Sequence, residues 1–275
     1  MRAYRLAYDG TEYRGYQRQP HGQTVEDDLF GALADLGVAD GKPAGYAAAG
    51  RTDAGVSALA QTVAFEAPDW LTPRALNSGL PAAVRAWAHA EVAEGFDARH
   101  EATARRYRYH LHAPADGGAD DGVDDTRARA ACAALSGEHD FRNLSLDGEG
   151  TVRELSVSVE RDGPFLAFDL QAPGFCRQQV RRVVSLVSLV ARGERPPAFV
   201  DRVLGPDPLP GHEGVPPAPA EGLVLLDVTY PDASFVVDEA AAGSAREVFE
   251  ARRVAAATRA RTFGVVGDAL GDGPD

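Results

Sequence analysis

Ala49-Gly50-Arg51-Thr52-Asp53-Ala54-Gly55-Val56 sets one carboxylate between two glycines, with an arginine two residues upstream. The small apolar run before it, Tyr46-Ala47-Ala48-Ala49, can end a buried strand. Glycines at 50 and 55 open backbone angles closed to other residues and let a ligand come close. Asp53 is thereby presented on a tight turn, with Arg51 near enough to keep it ionised. Loops of this kind on rigid strands commonly carry catalytic groups. The plainer reading is a turn in which Asp53 caps backbone amides and Arg51 is a surface partner. Short motifs match by chance, so the flanking segments decide.

Working outward toward the N-terminus, Ala3 to Tyr8 alternates apolar and polar residues and ends at the turn pair Asp9-Gly10, a first strand. The segment from Tyr8 to Gln19 mixes glycine, aromatics and arginine, including Arg14 and Arg18. That mixture suits stacking on bases and gripping phosphate, or an ordinary aromatic hairpin. Thr24-Val25-Glu26-Asp27 reads as a capping box, followed by the helical stripe Val25, Leu29, Leu33 and Leu36. Beyond the Asp53 turn, Gln61 to Phe65 is the returning strand. Thr72-Pro73 opens a helix that Pro81 ends, and Val84 to Val92 is a further strand. This alternating first half closes near residue 103.

In the second half, a strand over Arg105 to Leu111 puts Arg105, Tyr107 and Tyr109 on one face and Arg106, Arg108 and His110 on the other. Ala115 to Asp125 reads as a solvated acidic loop. A helix over Thr126 to Leu135 precedes a strand pair, Val152 to Glu160 and Phe165 to Gln171, around Asp162-Gly163-Pro164. Val180, Val183, Val184, Val187 and Val190 then mark the buried face of a helix. Arg181 lies beside that stripe, so its guanidinium needs a partner, either Asp53 or Asp169. A proline-rich extended loop from Pro206 to Pro219 leads to a late strand, Gly222 to Tyr230. Glu239 to about Arg259 looks helical and is expected to pack on the C-terminal half, with a frayed end. No solenoid-type repeat is apparent.

The chain has 275 residues, 44% hydrophobic and 25% charged, as in a globular protein with a substantial core. No apolar run reaches the ~18 residues of a membrane span, and no signal-peptide core is present. Cys132 and Cys176 give neither a disulfide framework nor zinc spacing, which points to a reduced, cytoplasmic setting. No metal site is expected: His110 and His112 share a strand face without a third ligand. The net charge is −13, and Lys42 is the only lysine. Such a balance argues against nonspecific nucleic-acid binding, unless the protein works in high salt, where the Debye length falls to ~3 Å. A local arginine groove can then coexist with an acidic surface.

Five of these stretches, in order, resemble the TruA family of tRNA pseudouridine synthases: Tyr8-Asp9-Gly10-Thr11 to Gln17, Gly50 to Val56, Phe96 to Tyr109, Gly174-Phe175 with Val180-Arg181, and Gly222 to Leu225. The resemblance runs from residue 4 to about residue 231. It implies an α/β (α+β) fold of two similar subdomains, 1–103 and 104–232, whose antiparallel sheets join into one continuous sheet around an active-site cleft. Residues 233–275 form a helical extension outside that core. The implied activity is a cofactor-free isomerisation of uridines thirty-eight to forty in the tRNA anticodon stem-loop, usually by a homodimer. Position by position, Asp53 matches the essential aspartate, Arg181 its arginine partner, Tyr107 the tyrosine that packs on the target base, and Arg51 the arginine beside the everted nucleotide. Ser57, Tyr16 and Gln179 depart from the family's frequent histidine, tryptophan and methionine.

That chemistry cuts the bond from the sugar to N1, turns the base and rejoins it through C5. It needs an everted base, a pocket, an ionised carboxylate and exclusion of water. Tyr107 supplies an aromatic face and Leu223 or Leu225 an apolar wall, while Arg14, Arg18, Arg51, Arg105, Arg106 and Arg108 serve phosphate contacts. Two other readings stand beside it. One is a catalytically silent RNA-binding protein of the same fold. The other is a two-carboxylate hydrolase pairing Asp53 with Glu101 or Asp169.

Overall fold

The computed structural model describes residues 1–114 and 122–271, so most of the expected acidic loop and the last four residues lie outside the described residues. Among the described residues ten strands follow in chain order: β1 (Arg2–Tyr8), β2 (Ala47–Ala48), β3 (Ser57–Phe65), β4 (Val84–Glu91), β5 (Ala104–His112), β6 (Gly137–Asp140), β7 (Val152–Asp162), β8 (Phe165–Ala172), β9 (Leu223–Thr229) and β10 (Val236–Val237). Six α-helices accompany them among the same residues: α1 (Val25–Asp35), α2 (Pro73–Asn77), α3 (Asp125–Leu135), α4 (Gln179–Ala191), α5 (Phe199–Val203) and α6 (Glu239–Gly271). They form an α/β fold with one mixed sheet in the order β10-β4-β1-β3-β9-β5-β8-β7-β6, with β2 paired to β3.

The neighbouring pairs are antiparallel except β3 with β9, which run parallel through Ser57↔Val224 and Ala58↔Leu225. This short parallel ladder is the seam of the molecule. On one side a core gathers Tyr4, Leu6, Leu29, Leu33, Phe65 and Leu76, with Leu225 and Val228 reaching in from β9. On the other, Tyr109, Leu135, Phe168, Leu170, Val183 and Val187 form a second core. Strand β9 gives Leu223 to the second core and Leu225 and Val228 to the first, and so binds the halves together.

Local chemistry sets the starts of α1 and α2. Thr24 accepts from the Asp27 N–H at 3.2 Å, and the Asp27 carboxylate accepts from the Thr24 N–H at 3.1 Å, completing the capping box of α1. Thr72 caps α2 with Pro73 at its first position, although α2 ends at Asn77, before Pro81. All five valines of the predicted stripe on α4 are buried.

One expectation is overturned. The C-terminal helix packs on the N-terminal half, not the C-terminal one. Strand β10 extends that half's sheet beyond β4, and the Asp238 carboxylate accepts from the Arg74 N–H at 3.2 Å. Ala241 and Ala245 are buried, and Arg252 pairs with Asp9. An alanine-rich helix has no wide apolar stripe to announce its resting face, and here two small residues suffice to let it lie close.

Candidate active site

A cavity of about 750 Å³ opens at the seam, bordered by the turn around Asp53, the start of β5, the loop before α4 and the first residue of β9. Asp53 opens a turn whose apex is Ala54 and Gly55, and the Val56 N–H donates to the Asp53 carbonyl at 3.2 Å. Gly55 adopts φ +82°, so the glycine there is required. Gly50 is not in that region and a side chain there would meet open space, so its expected freedom is not used. Beneath the turn, a Cβ on Gly10 would lie 2.0 Å from the Val56 carbonyl oxygen. The Tyr8–Tyr16 segment therefore supports the turn through direct backbone contact.

Arg181, in the first turn of α4, crosses the seam. Its Nη1 lies 3.3 Å from Asp53 Oδ2 and its Nε donates to the Ala218 carbonyl at 2.6 Å. The guanidinium side chain is 14% exposed and Asp53 38% exposed, so the carboxylate faces the cavity and the arginine stands behind it. Asp169, the other candidate partner, instead binds Arg108 at 2.6 Å and Arg106 at 3.4 Å.

Tyr107 borders the same cavity, edge-on to Phe175 at 5.2 Å between ring centroids. Burial pushes its phenol up to about 12; Arg105 opposes that rise and Asp53 adds to it. The phenol is therefore neutral across the physiological range. Leu223 also borders the cavity, whereas Leu225 is buried in the N-terminal core and does not. Leu223 and Leu225, two residues apart, share a face of β9, and what separates them is their place along the strand: Leu223 is opposite Tyr109 and Leu225 opposite Tyr107, beside a bulge.

The expected phosphate contacts divide sharply. Arg51 is exposed at the cavity wall. Arg106 and Arg108 point to the opposite sheet face and are held by Asp169, so neither borders the cavity. Arg14 is exposed outside it, and Arg18 pairs with Asp27 at 2.9 Å over the Phe30 ring. Arg105 borders the cavity but donates to the carbonyls of Ala49, Arg99, Ala102 and Pro173. Cations that the sequence reading missed take their place: Lys42, Arg99, Arg153 and Arg177. With Arg51, Arg105 and Arg181 they outnumber Glu26, Asp53, Asp97 and Asp147 on the walls, in a chain whose net charge is −13. The solitary lysine at position 42 was an available signal, as was Arg177 within the Gly174-Phe175 motif.

The departing positions have local roles. Ser57 Oγ accepts from the Gly10 N–H at 3.0 Å, Tyr16 shares a 2.6 Å hydrogen bond with Tyr46, and Gln179 Oε1 accepts from the Cys176 N–H at 2.8 Å. Glu101 is exposed and accepts from the Asp97 N–H. Neither Glu101 nor Asp169 borders the cavity, so neither can supply the second carboxylate of a hydrolase there. Among the described residues no group of three or more metal-binding side chains occurs, and both cysteines are free and buried.

A tRNA pseudouridine synthase A of Natronomonas pharaonis is 60% identical over 97% of this chain and 98% of its own. The chain belongs to the tRNA pseudouridine synthase A (TruA) family. It is thus an isomerase that makes pseudouridine in tRNA. Relatives of the same description in Haloarcula marismortui and Halobacterium salinarum are 55% and 52% identical over 98% and 96% of this chain, covering 100% and 97% of their own lengths. A family model described as tRNA pseudouridine synthase matches residues 131–231. These relatives are halophilic archaea, and the acidic composition with one lysine fits that setting. No helix among the described residues is long and apolar enough to cross a membrane.

Proposed function

We propose that this TruA-family isomerase converts uridines thirty-eight to forty of the tRNA anticodon stem-loop, with Asp53 as its essential carboxylate. The observation that carries the reading is the Asp53–Arg181 contact across the seam, at 3.3 Å, in a cavity of about 750 Å³. That volume lies within the range of about 300–1,000 Å³ usual for ligand sites, and it suits one everted nucleotide. Tyr107 packs on the uracil, Leu223 closes the apolar side and Arg51 stands by the displaced nucleotide. Arg181 gives the carboxylate a fixed counter-charge in a space that the RNA closes to water.

In the reaction the C1′–N1 bond breaks and a C1′–C5 bond forms. The proton on C5 leaves and N1 gains one, so nothing is oxidised, hydrolysed or transferred to another molecule. Such a balance calls for no cofactor, and Asp53 serves as nucleophile or base. The work is cytoplasmic in this reading, the catalytic unit is a homodimer, and the chain divides into subdomains 1–103 and 104–232 with the extension 233–275.

The test is incubation with a tRNA transcript carrying C5-tritiated uridine, in molar KCl. The expected result is tritium release mapped to the anticodon stem-loop, and none from Asp53→Asn despite retained tRNA binding. Release by Asp53→Asn, or modification confined to another arm of the tRNA, would sink the proposal.

A further inference from the structure

The approach to Asp53 is fastened residue by residue from three strands. Arg105 on β5 donates through Nη2 to the Ala49 carbonyl at 2.9 Å. Gln61 on β3 donates through Nε2 to the Gly50 carbonyl at 2.9 Å. Tyr8 on β1 shares a 2.8 Å hydrogen bond between its phenol and Thr52 Oγ1. Of residues 49–52, Arg51 alone is exposed. Gln61 is fully buried and Tyr8 and Thr52 nearly so, at 0%, 1% and 6% exposure. Buried polar groups of this kind are costly unless paired, so each anchor and its acceptor depend on the other.

Arg105 is the most telling of the three. Its two terminal nitrogens carry four N–H groups, and four carbonyls take them: Ala49, Arg99, Ala102 and Pro173. No terminal donor remains for a phosphate. The four acceptors come from both sides of the seam, so the fork joins the Asp53 turn to the loop that precedes α4. Arg181, on that helix, is Asp53's partner.

We infer that Tyr8, Gln61 and Arg105 are positioning residues for Asp53, and that Arg105 is a staple across the seam, not a grip on RNA. The inference rests on the reading of Asp53 as the reacting carboxylate. A misplacement of about 1 Å at a reacting group costs on the order of 10²-fold in rate, and each anchor controls backbone within four residues of that carboxylate.

The test compares Arg105→Lys, Tyr8→Phe, Thr52→Ser and Thr52→Val in the full chain, by tritium release and by tRNA binding over a range of KCl. Lysine keeps the charge but has no planar fork. Phenylalanine keeps the ring that stacks on Tyr16 at 6.2 Å. Expected for Arg105→Lys is a kcat loss of about tenfold to 10²-fold. Its tRNA Kd and the slope of log Kd against log salt should not change. Tyr8→Phe and Thr52→Val lose kcat in the same way, whereas Thr52→Ser retains it. Wild-type kcat in Arg105→Lys with a weakened Kd and a shallower salt slope would overturn the staple in favour of a phosphate grip. Asp53→Asn separates the two levels. If it turns over, the reading of Asp53 itself fails. If it is inert while Arg105→Lys and Tyr8→Phe keep wild-type kcat, only the positioning inference fails.

Discussion

Replacing Arg181 by methionine removes the guanidinium opposite Asp53 while keeping an unbranched side chain beside the buried valine stripe of α4. Two hydrogen bonds go: Nε to the Ala218 carbonyl at 2.6 Å and Nη1 to Asp53 at 3.3 Å. A hydrogen bond to a charged group contributes about 1.5–3 kcal/mol. In the free enzyme the contact to Asp53 is long and the carboxylate is 38% exposed, so solvent screening holds it to the lower end. About 1.5 kcal/mol corresponds to a loss of roughly tenfold. Once RNA covers the cavity and expels water, the upper end applies, about 3 kcal/mol or roughly 150-fold. Arg181→Met should therefore lower kcat by between about tenfold and about 150-fold, and Arg181→Lys, which keeps charge but not the fork, should fall nearer the lower bound. Single-turnover tritium release separates this loss from binding, and a thermal melt checks that α4 still packs. Wild-type kcat in Arg181→Met, or a deficit confined to tRNA Kd, would refute the reasoning.

Other consequences are as readily checked. Arg153→Ala and Arg177→Ala should each weaken tRNA binding and reduce its salt slope by roughly 1, while Arg106→Ala and Arg108→Ala, on the far face, leave both unchanged in the same binding titration. Arg161 holds the Asp125 carboxyl below the ordinary aspartate range, and Arg142 with Thr151 does the same for Asp140. These groups bind protons less readily when folded, so their stabilisation is complete above the unfolded value of about 3.9 and is lost as pH falls through the lower folded values. Tm against pH should accordingly drop below pH ~4, and less steeply in the Asp125→Asn, Asp140→Asn double variant. The acidic surface predicts retention of fold and activity in molar KCl; circular dichroism and turnover across a salt series test this, and a protein folded and active only in dilute buffer would contradict it.

Much of this architecture was legible because it is written locally. Thr24 and Asp27 announce α1, Thr72-Pro73 announces α2, and the valines of α4 mark a buried stripe that left Arg181 seeking a partner. Strand β5 showed its two faces by alternation alone. Which face meets the cavity is not a property of that strand, however. Arg108 and Asp169 are register partners across β5 and β8, and only the paired sheet reveals that Arg106 and Arg108 are spoken for. The same limit hid Arg105: its four carbonyl acceptors come from segments with no pattern in common. The edge strands β6 and β10, four and two residues long, are too short for period or composition to register.

The parallel pairing of Ser57 and Ala58 with Val224 and Leu225 also sets an order of assembly. Closing so long a loop is slow because its entropy is lost before the contact is gained. As the chain leaves the ribosome, β2 covers that edge of β3 only at Val63 and Ala64, so its Ser57–Ala58 end stays bare until β9 has been made, and the edge of β4 waits longer still for β10. The nascent N-terminal half thus carries two open edges, each a template for pairing with a stray chain. The seam that holds Asp53 against Arg181 is complete only once β9 is in place, so a variant that weakens it should betray itself as aggregation during synthesis as well as in turnover.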